Sequence, residues 1–203
     1  MTEATLQKTP TKKSRIFAAL KVRDFRFLWV SSLAASFGMQ MQMVARGWLI
    51  YDMTQSPMAL TWVMLSFMLP TLLFSLAGGV MADRMTKKPL ILVTQTLTTV
   101  ATFSLGYIIY TGEVDFWHFI YIGFLNGTLM ALSMPARTAL VPEIVDREDL
   151  VNAMALQSAT FNLARILGPA LAGVLIAFFA SGDTTSTHGV GVVFFIIAGM
   201  YAI

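Results

Sequence analysis

Gly78-Gly79-Val80-Met81-Ala82-Asp83-Arg84-Met85-Thr86-Lys87-Lys88 is a short charged hinge between two apolar runs, 62–82 and 89–110. Neither run holds a charged residue. Each has about the ~20 residues that a helix needs to cross the hydrocarbon core of a bilayer. The stretch reads as a tight turn between two membrane spans, and the rest of the chain is placed relative to it.

The composition points the same way. Of 203 residues, 56% are hydrophobic and only 12% are charged, with a mean hydropathy of +0.69. A soluble domain carries roughly 25% charged residues. Apolar runs are expected to form helices over 28–50, 58–82, 89–110, 116–136 and 150–179. A sixth run starts at Val190 and has too few residues before Ile203 to cross a bilayer, so it reads as a span cut short. The segment 181–189 is polar and Gly-containing and reads as a loop. The architecture expected is all-α, a basic tail over 1–27 followed by a six-helix membrane bundle over 28–203. Phe17, Leu20, Phe25 and Phe27 in the tail are suited to lying on the membrane surface.

The basic residues set the orientation. Seven lie in the tail, three in the hinge (Arg84, Lys87, Lys88) and two in the segment after the fourth run (Arg137, Arg147). The alternate loops hold only acids, namely Asp52, Glu113, Asp115 and Asp183. This is a positive-inside pattern with a cytoplasmic N-terminus. With no Cys, thiolate chemistry, disulfides and Cys-ligated metals are excluded. The two His residues, His118 and His188, lie far apart in sequence, and no metal cluster is legible. There is no phosphate loop, nucleophile elbow or paired catalytic acid, so neither an enzyme, a cofactor nor a nucleic-acid partner is expected.

Polar residues inside the spans are the functional candidates, because burying them in lipid is costly. In the first run, Ser32, Ser36, Gln40, Gln42, Arg46 and Gly47 fall within about half the helix circumference. Such a stripe suits a helix lining a substrate path, or one glued to neighbours by Ser and Gln hydrogen bonds. Arg46 could face that path or extend its stem to the interface near Tyr51. In the fifth run, Ser158, Asn162 and Arg165 share a face. Arg165 has no acid in its own span. It could snorkel inward, pair with Asp83 or Glu143, or meet a ligand anion. Asn126 matches a glycosylation acceptor with Thr128, but lies inside the fourth span. The fourteen Met residues suit uneven packing and a tolerant cavity wall. No span interior holds a carboxylate, so no coupling ion is assigned.

The hinge, with Gly79, Asp83, Arg84, Lys87 and Lys88 between a second and a third span, resembles the signature loop of the major facilitator superfamily of transporters. Thr86 stands where that loop usually has Gly. Gly168-Pro169-Ala170-Leu171-Ala172-Gly173 resembles the fifth-helix motif of exporters in the same superfamily, where Gly168, Pro169 and Gly173 would kink and pack the helix. Segments 24–29 and 135–153 resemble its drug and siderophore exporter branch. The resemblance implies the N-terminal half of a twelve-helix transporter, built from two inverted three-helix repeats, with helices one, two, four and five facing a central cavity. It further implies a small-molecule cargo, amphipathic or anionic, exported by alternating access across the bacterial inner membrane, with a C-terminal half completing the protein. Ser36, Gln40, Arg46, Asn126, Asn162 and Arg165 are expected to contact cargo. Gly79, Asp83, Arg84, Lys87, Lys88 and Arg137 are expected to form a gate, with Asp83 accepting from a helix N-terminus or paired to Arg84 or Arg137; Arg84, Lys87 and Lys88 also suit setting topology and touching anionic lipid. The alternative is a membrane assembly or regulatory subunit that keeps the scaffold without transporting.

Overall fold

The computed structural model describes residues 18–179 and 187–203. A single 3-10 turn, Ala18–Lys21, leads into six α-helices: α1 Arg23–Thr54, α2 Pro57–Arg84, α3 Lys87–Tyr110, α4 Phe116–Ile144, α5 Leu150–Phe179 and α6 Thr187–Tyr201. No strand occurs among the described residues. Four of these helices, α2 to α5, are long and apolar enough to cross a membrane. At 32 residues α1 is long enough, but the amides and Arg46 along one side dilute its hydropathy. α6 is apolar and has 15 residues.

The connections are short because their residues stop and start helices efficiently. α1 ends at Gln55, whose φ of 48° is left-handed and whose N–H donates to the Tyr51 carbonyl at 2.8 Å. The Ser56 side chain then accepts from the Ala59 N–H, with Pro57 opening α2 at a position where its missing N–H costs nothing. Between α2 and α3 only Met85 and Thr86 are non-helical, and both are extended. Thr86 has φ −64°, so the turn needs no left-handed residue and the Thr in place of Gly is accommodated without strain. At α4 the Asp115 N–H donates to His118 Nδ1 at 3.0 Å, closing the helix start.

The three most extensively packed helix pairs are α1 with α5, α2 with α4, and α3 with α6, followed closely by α3 with α4 and then by α1 with α6. Exchanging α1, α2 and α3 for α4, α5 and α6 maps the first pair onto the second and the third onto itself. That is the pairing two three-helix repeats related by a two-fold axis must show. Close approach is enabled by missing side chains. A Cβ on Gly78 would strike the Ala131 carbonyl, and one on Gly127 would strike the Phe67 carbonyl, so α2 and α4 touch backbone to backbone. Gly168 seats α5 on Gln40 of α1, where a Cβ would lie 2.6 Å from the Gln40 Cβ. The main core, around Met41, Leu49, Leu105, Ile109, Phe119 and Phe194, fills the seam of α1, α3 and α6, with α4 contributing Phe119 and α5 contributing Ala172 and Ile176.

Several sequence expectations change. α1 begins at Arg23 rather than 28 and runs to Thr54. Phe25 does not lie on a membrane surface. It is fully buried against Val141, Val145 and Ala153, because α4 and α5 extend far enough to enclose it. α4 continues through Pro135 and Pro142 to Ile144, so Arg137 is helical and not in a loop. At the other end, residues 187–189 belong to α6, while the remainder of the polar loop and Phe17 lie outside the described residues.

Candidate functional site

A cavity of about 680 Å3 opens between the helices. α1 contributes Ser32, Ser36, Gln42 and Arg46, α4 contributes Asn126, Ser133 and Arg137, and α5 contributes Ser158, Thr160 and Asn162. α2 supplies an apolar wall that includes Leu60, Val63 and Phe67. Met39, Met43, Met64, Met68, Met130, Met134 and Met154 complete much of the lining. Met39 and Met43 sit within the polar arc of α1, so that arc alternates thioether and amide rather than being uniformly polar.

Ser36, Arg46, Asn126, Asn162 and Arg137 therefore share one cavity. Gln40 does not line it. It sits at the margin of the stripe, roughly 120° around the helix from Arg46 at 100° per residue, and packs under Gly168. Arg165 does not line it either. Its side chain is exposed, and among the described residues it has no ion pair. Glu143, one expected partner, is taken by Lys87 at 2.6 Å. Asn162 spends its amide N–H on the Ser158 carbonyl one turn back, at 2.8 Å.

Arg46 is only 6% exposed and does not reach the interface near Tyr51. Its Nε and Nη2 are buried with no hydrogen-bond partner among the described residues, and the same holds for Asn126 Nδ2 and Oδ1. Both residues line the cavity, and a Cβ on Gly123, one turn before Asn126, would lie 3.7 Å from Arg46 Nη1. Buried polar atoms without partners cost about 1–3 kcal/mol each, so this pair stands out from the rest of the described residues.

Arg137 is the opposite case. Its Nη1 donates to Ser32 Oγ at 3.2 Å and its Nη2 donates to Gln95 Oε1. The Gln95 Nε2 donates to the Tyr201 carbonyl at 2.7 Å, the Tyr201 hydroxyl donates to Gln42 Oε1 at 3.4 Å, and Gln42 Nε2 donates to Thr102 Oγ1 at 3.2 Å. This chain of bonds ties α1, α3, α4 and α6 together. It also means that α3 and α6 reach the cavity, through Gln95, Thr98 and Tyr201, beside the four helices expected. Gln95 and Tyr201 escaped the sequence reading. The available signal was that Gln95 is the lone amide in the 89–110 run.

The hinge lies at the opposite edge of the α2–α4 seam from the Phe116 end. Asp83 and Arg84 are exposed and form no ion pair among the described residues. The expected Asp83–Arg137 pair does not form, because Arg137 lies within the bundle and is held by Ser32 and Gln95. Instead Lys87 bridges to Glu143 and Lys88 to Asp24 at 3.1 Å, joining the start of α3 to the last turn of α4 and the first turn of α1. Nothing lies within 4 Å of a Cβ built on Gly79 or on Gly173.

A family model described as "transmembrane secretion effector" matches residues 14–202. The chain belongs to this family of major facilitator superfamily proteins. It is an integral membrane protein corresponding to an N-terminal six-helix half. Among curated proteins it is 26% identical over 160 residues to the "Staphyloferrin A transporter" of Staphylococcus aureus, covering 78% of this chain and 40% of that protein. It is 26% identical over 151 residues to the "Uncharacterized MFS-type transporter YfiS" of Bacillus subtilis, covering 74% and 33%. It is 29% identical over 114 residues to the "Enterobactin exporter EntS" of Salmonella typhimurium, covering 56% and 27%. The chain thus spans at most 40% of the length of these relatives. No solved structure gives a significant match.

Proposed function

We propose that the chain is the N-terminal half of a secondary active transporter that exports a small amphipathic or anionic molecule by alternating access. The observation that carries this reading is the cavity in which Arg46 and Asn126 hold buried polar atoms without partners. A bundle built only for packing satisfies such groups or omits them. Ser36, Asn162 and the methionine wall supply further polar and adaptable contacts for a multidrug, macrolide-like or siderophore-like cargo. The relatives named for siderophore transport support that cargo range. The protein sits in the bacterial inner membrane with its N-terminus in the cytoplasm, as the distribution of basic residues favours.

In this reading Gly79, Asp83, Arg84, Lys87, Lys88 and Arg137 belong to a cytoplasmic gate. The Lys87–Glu143 and Lys88–Asp24 bridges clip neighbouring helix ends together, while exposed Asp83 and Arg84 are available to a second half. The test uses the full-length protein in proteoliposomes, assayed for movement of a macrolide, a lipophilic cation and a polycarboxylate siderophore. Movement of at least one, slowed ~10-fold or more by Asp83→Asn at equal incorporation, is expected. No movement of any solute under either a proton or a sodium gradient would refute the transport reading. Unchanged rates in Asp83→Asn would remove the gate.

A further inference from the structure

We infer that the cavity is selective for an anion of carboxylate type, whose two oxygens seat on the Nε–Nη2 edge of Arg46, with Asn126 lining the same cavity. The inference deepens the proposed cargo site and rests on that cavity being where cargo binds. Three observations carry it.

The first is which atoms of Arg46 lack partners. Nε and Nη2 are the two nitrogens whose N–H bonds point in parallel along one edge of the guanidinium. That edge is the fork a carboxylate meets with both oxygens at once. Among the described residues it is unbonded, and it belongs to a residue that lines the cavity; because its atoms are buried, an anion reaches it when the side chains covering it turn aside.

The second is the charge of the wall. Among the described residues lining the cavity, the ionisable groups are Arg46, Arg137 and the Tyr201 phenol, with no Asp or Glu. Arg137 is held by neutral acceptors, Ser32 and Gln95, which fix its position without cancelling its charge. A site with two guanidiniums and no counter-ion, in a low-dielectric bundle, favours an anion and repels a cation.

The third is Asn126. It presents an unused donor, Nδ2, and an unused acceptor, Oδ1. The donor adds to the anion's hydrogen bonds. The acceptor calls for a ligand hydroxyl or N–H near the charged group. The methionines then take the ligand's apolar body.

The experiment is calorimetric titration of the full-length protein in detergent with three probes of one shape: 2-naphthoate, neutral 2-naphthamide and a 2-naphthyl trimethylammonium cation. Naphthoate is expected to bind ~10-fold or more tightly than naphthamide, with the cation weakest, since a hydrogen bond to a charged acceptor is stronger than one to a neutral amide. Arg46→Gln should erase the preference for naphthoate, and Arg46→Lys should retain part of it, because Lys keeps the charge and loses the fork. Arg46→Lys also guards against a Gln variant that fails to fold, read by its size-exclusion profile. Equal binding of naphthoate and naphthamide, or a preference that survives Arg46→Gln, would overturn the inference. Displacement of naphthoate by phosphatidylglycerol but not by excess benzoate would assign the edge to a lipid phosphate and overturn it as well. The two readings fail separately: no solute movement in proteoliposomes with the naphthoate preference intact removes transport and leaves the anion site. Transport without the preference does the reverse.

Discussion

A single missing methyl group decides how two helices of this bundle meet. Gly78 and Gly79 are adjacent in sequence and differ completely in surroundings. Gly78 faces the Ala131 carbonyl across the α2–α4 contact, while Gly79 faces open space. Ala at position 78 must push two backbones apart, and overpacking of this kind costs about 1–3 kcal/mol. Ala at position 79 meets nothing and gains helix propensity, up to about 1 kcal/mol over Gly. Gly78→Ala should therefore lower the unfolding midpoint in detergent, and Gly79→Ala should leave it equal or raise it. A signature-loop Gly at 79 that loses stability on this change would show that its freedom, not its size, is used. Gly127→Ala should resemble Gly78→Ala, because its Cβ would meet the Phe67 carbonyl.

At the scale of helices, the hydrogen-bonded chain from Ser32 through Arg137, Gln95, Tyr201 and Gln42 to Thr102 joins four elements at buried or half-buried sites. Gln95→Leu leaves an Arg137 nitrogen and the Tyr201 carbonyl without a partner, each worth about 1–3 kcal/mol. The loss should not add to that of Arg137→Gln. A double-mutant cycle on unfolding is expected to return a coupling energy of about 0.5–3 kcal/mol. Additive losses would mean that the two side chains do not share a bond. The Lys87–Glu143 bridge is a contrasting case, with the Glu143 side chain 53% exposed. Breaking it by Glu143→Gln should change stability by less than about 1 kcal/mol, and less still at high salt.

These elements also show where the sequence was readable. Charge-free runs located α2, α3 and α5 to within a few residues, because the bilayer length rule acts on composition alone. The stripe on α1 located Ser36 and Arg46 at the cavity, because a 3.6-residue period is legible without tertiary contacts. What failed depended on neighbours. Gln40 and Arg165 carry the right chemistry, but one is turned under Gly168 and the other outward, and no residue within their own helices announces that. The burial of Phe25 and the partners of Arg137 required α4 to be longer than its prolines suggest. Pro135 and Pro142 read as breakers in isolation, and packing overrides them.

The whole bundle divides into a closed seam and an open face. Leu105, Ile109, Val193 and Phe194 along α3 and α6 are fully buried, whereas Leu72 and Leu76 on α2 are 74% and 82% exposed. In a membrane, those exposed leucines need hydrocarbon or another apolar surface against them. A carbene generated from a lipid-confined diazirine should label Leu72 or Leu76 and spare Ile109 and Val193. Labelling of the seam residues would mean that the α3–α6 pair opens to lipid.

The methionine wall exposes the cavity to a kind of chemistry that its other residues resist. Met43, Met68 and Met134 are all more than half exposed, so a peroxide entering the site would reach their sulfurs. Each sulfoxide turns a yielding apolar contact into a fixed, polar and chiral one. If the cavity takes cargo as proposed, this lining should lose its tolerance for varied ligands under oxidative stress before the protein loses its fold. Peroxide treatment is therefore expected to narrow the range of solutes bound, with the unfolding midpoint barely moved and recovery on treatment with methionine sulfoxide reductases.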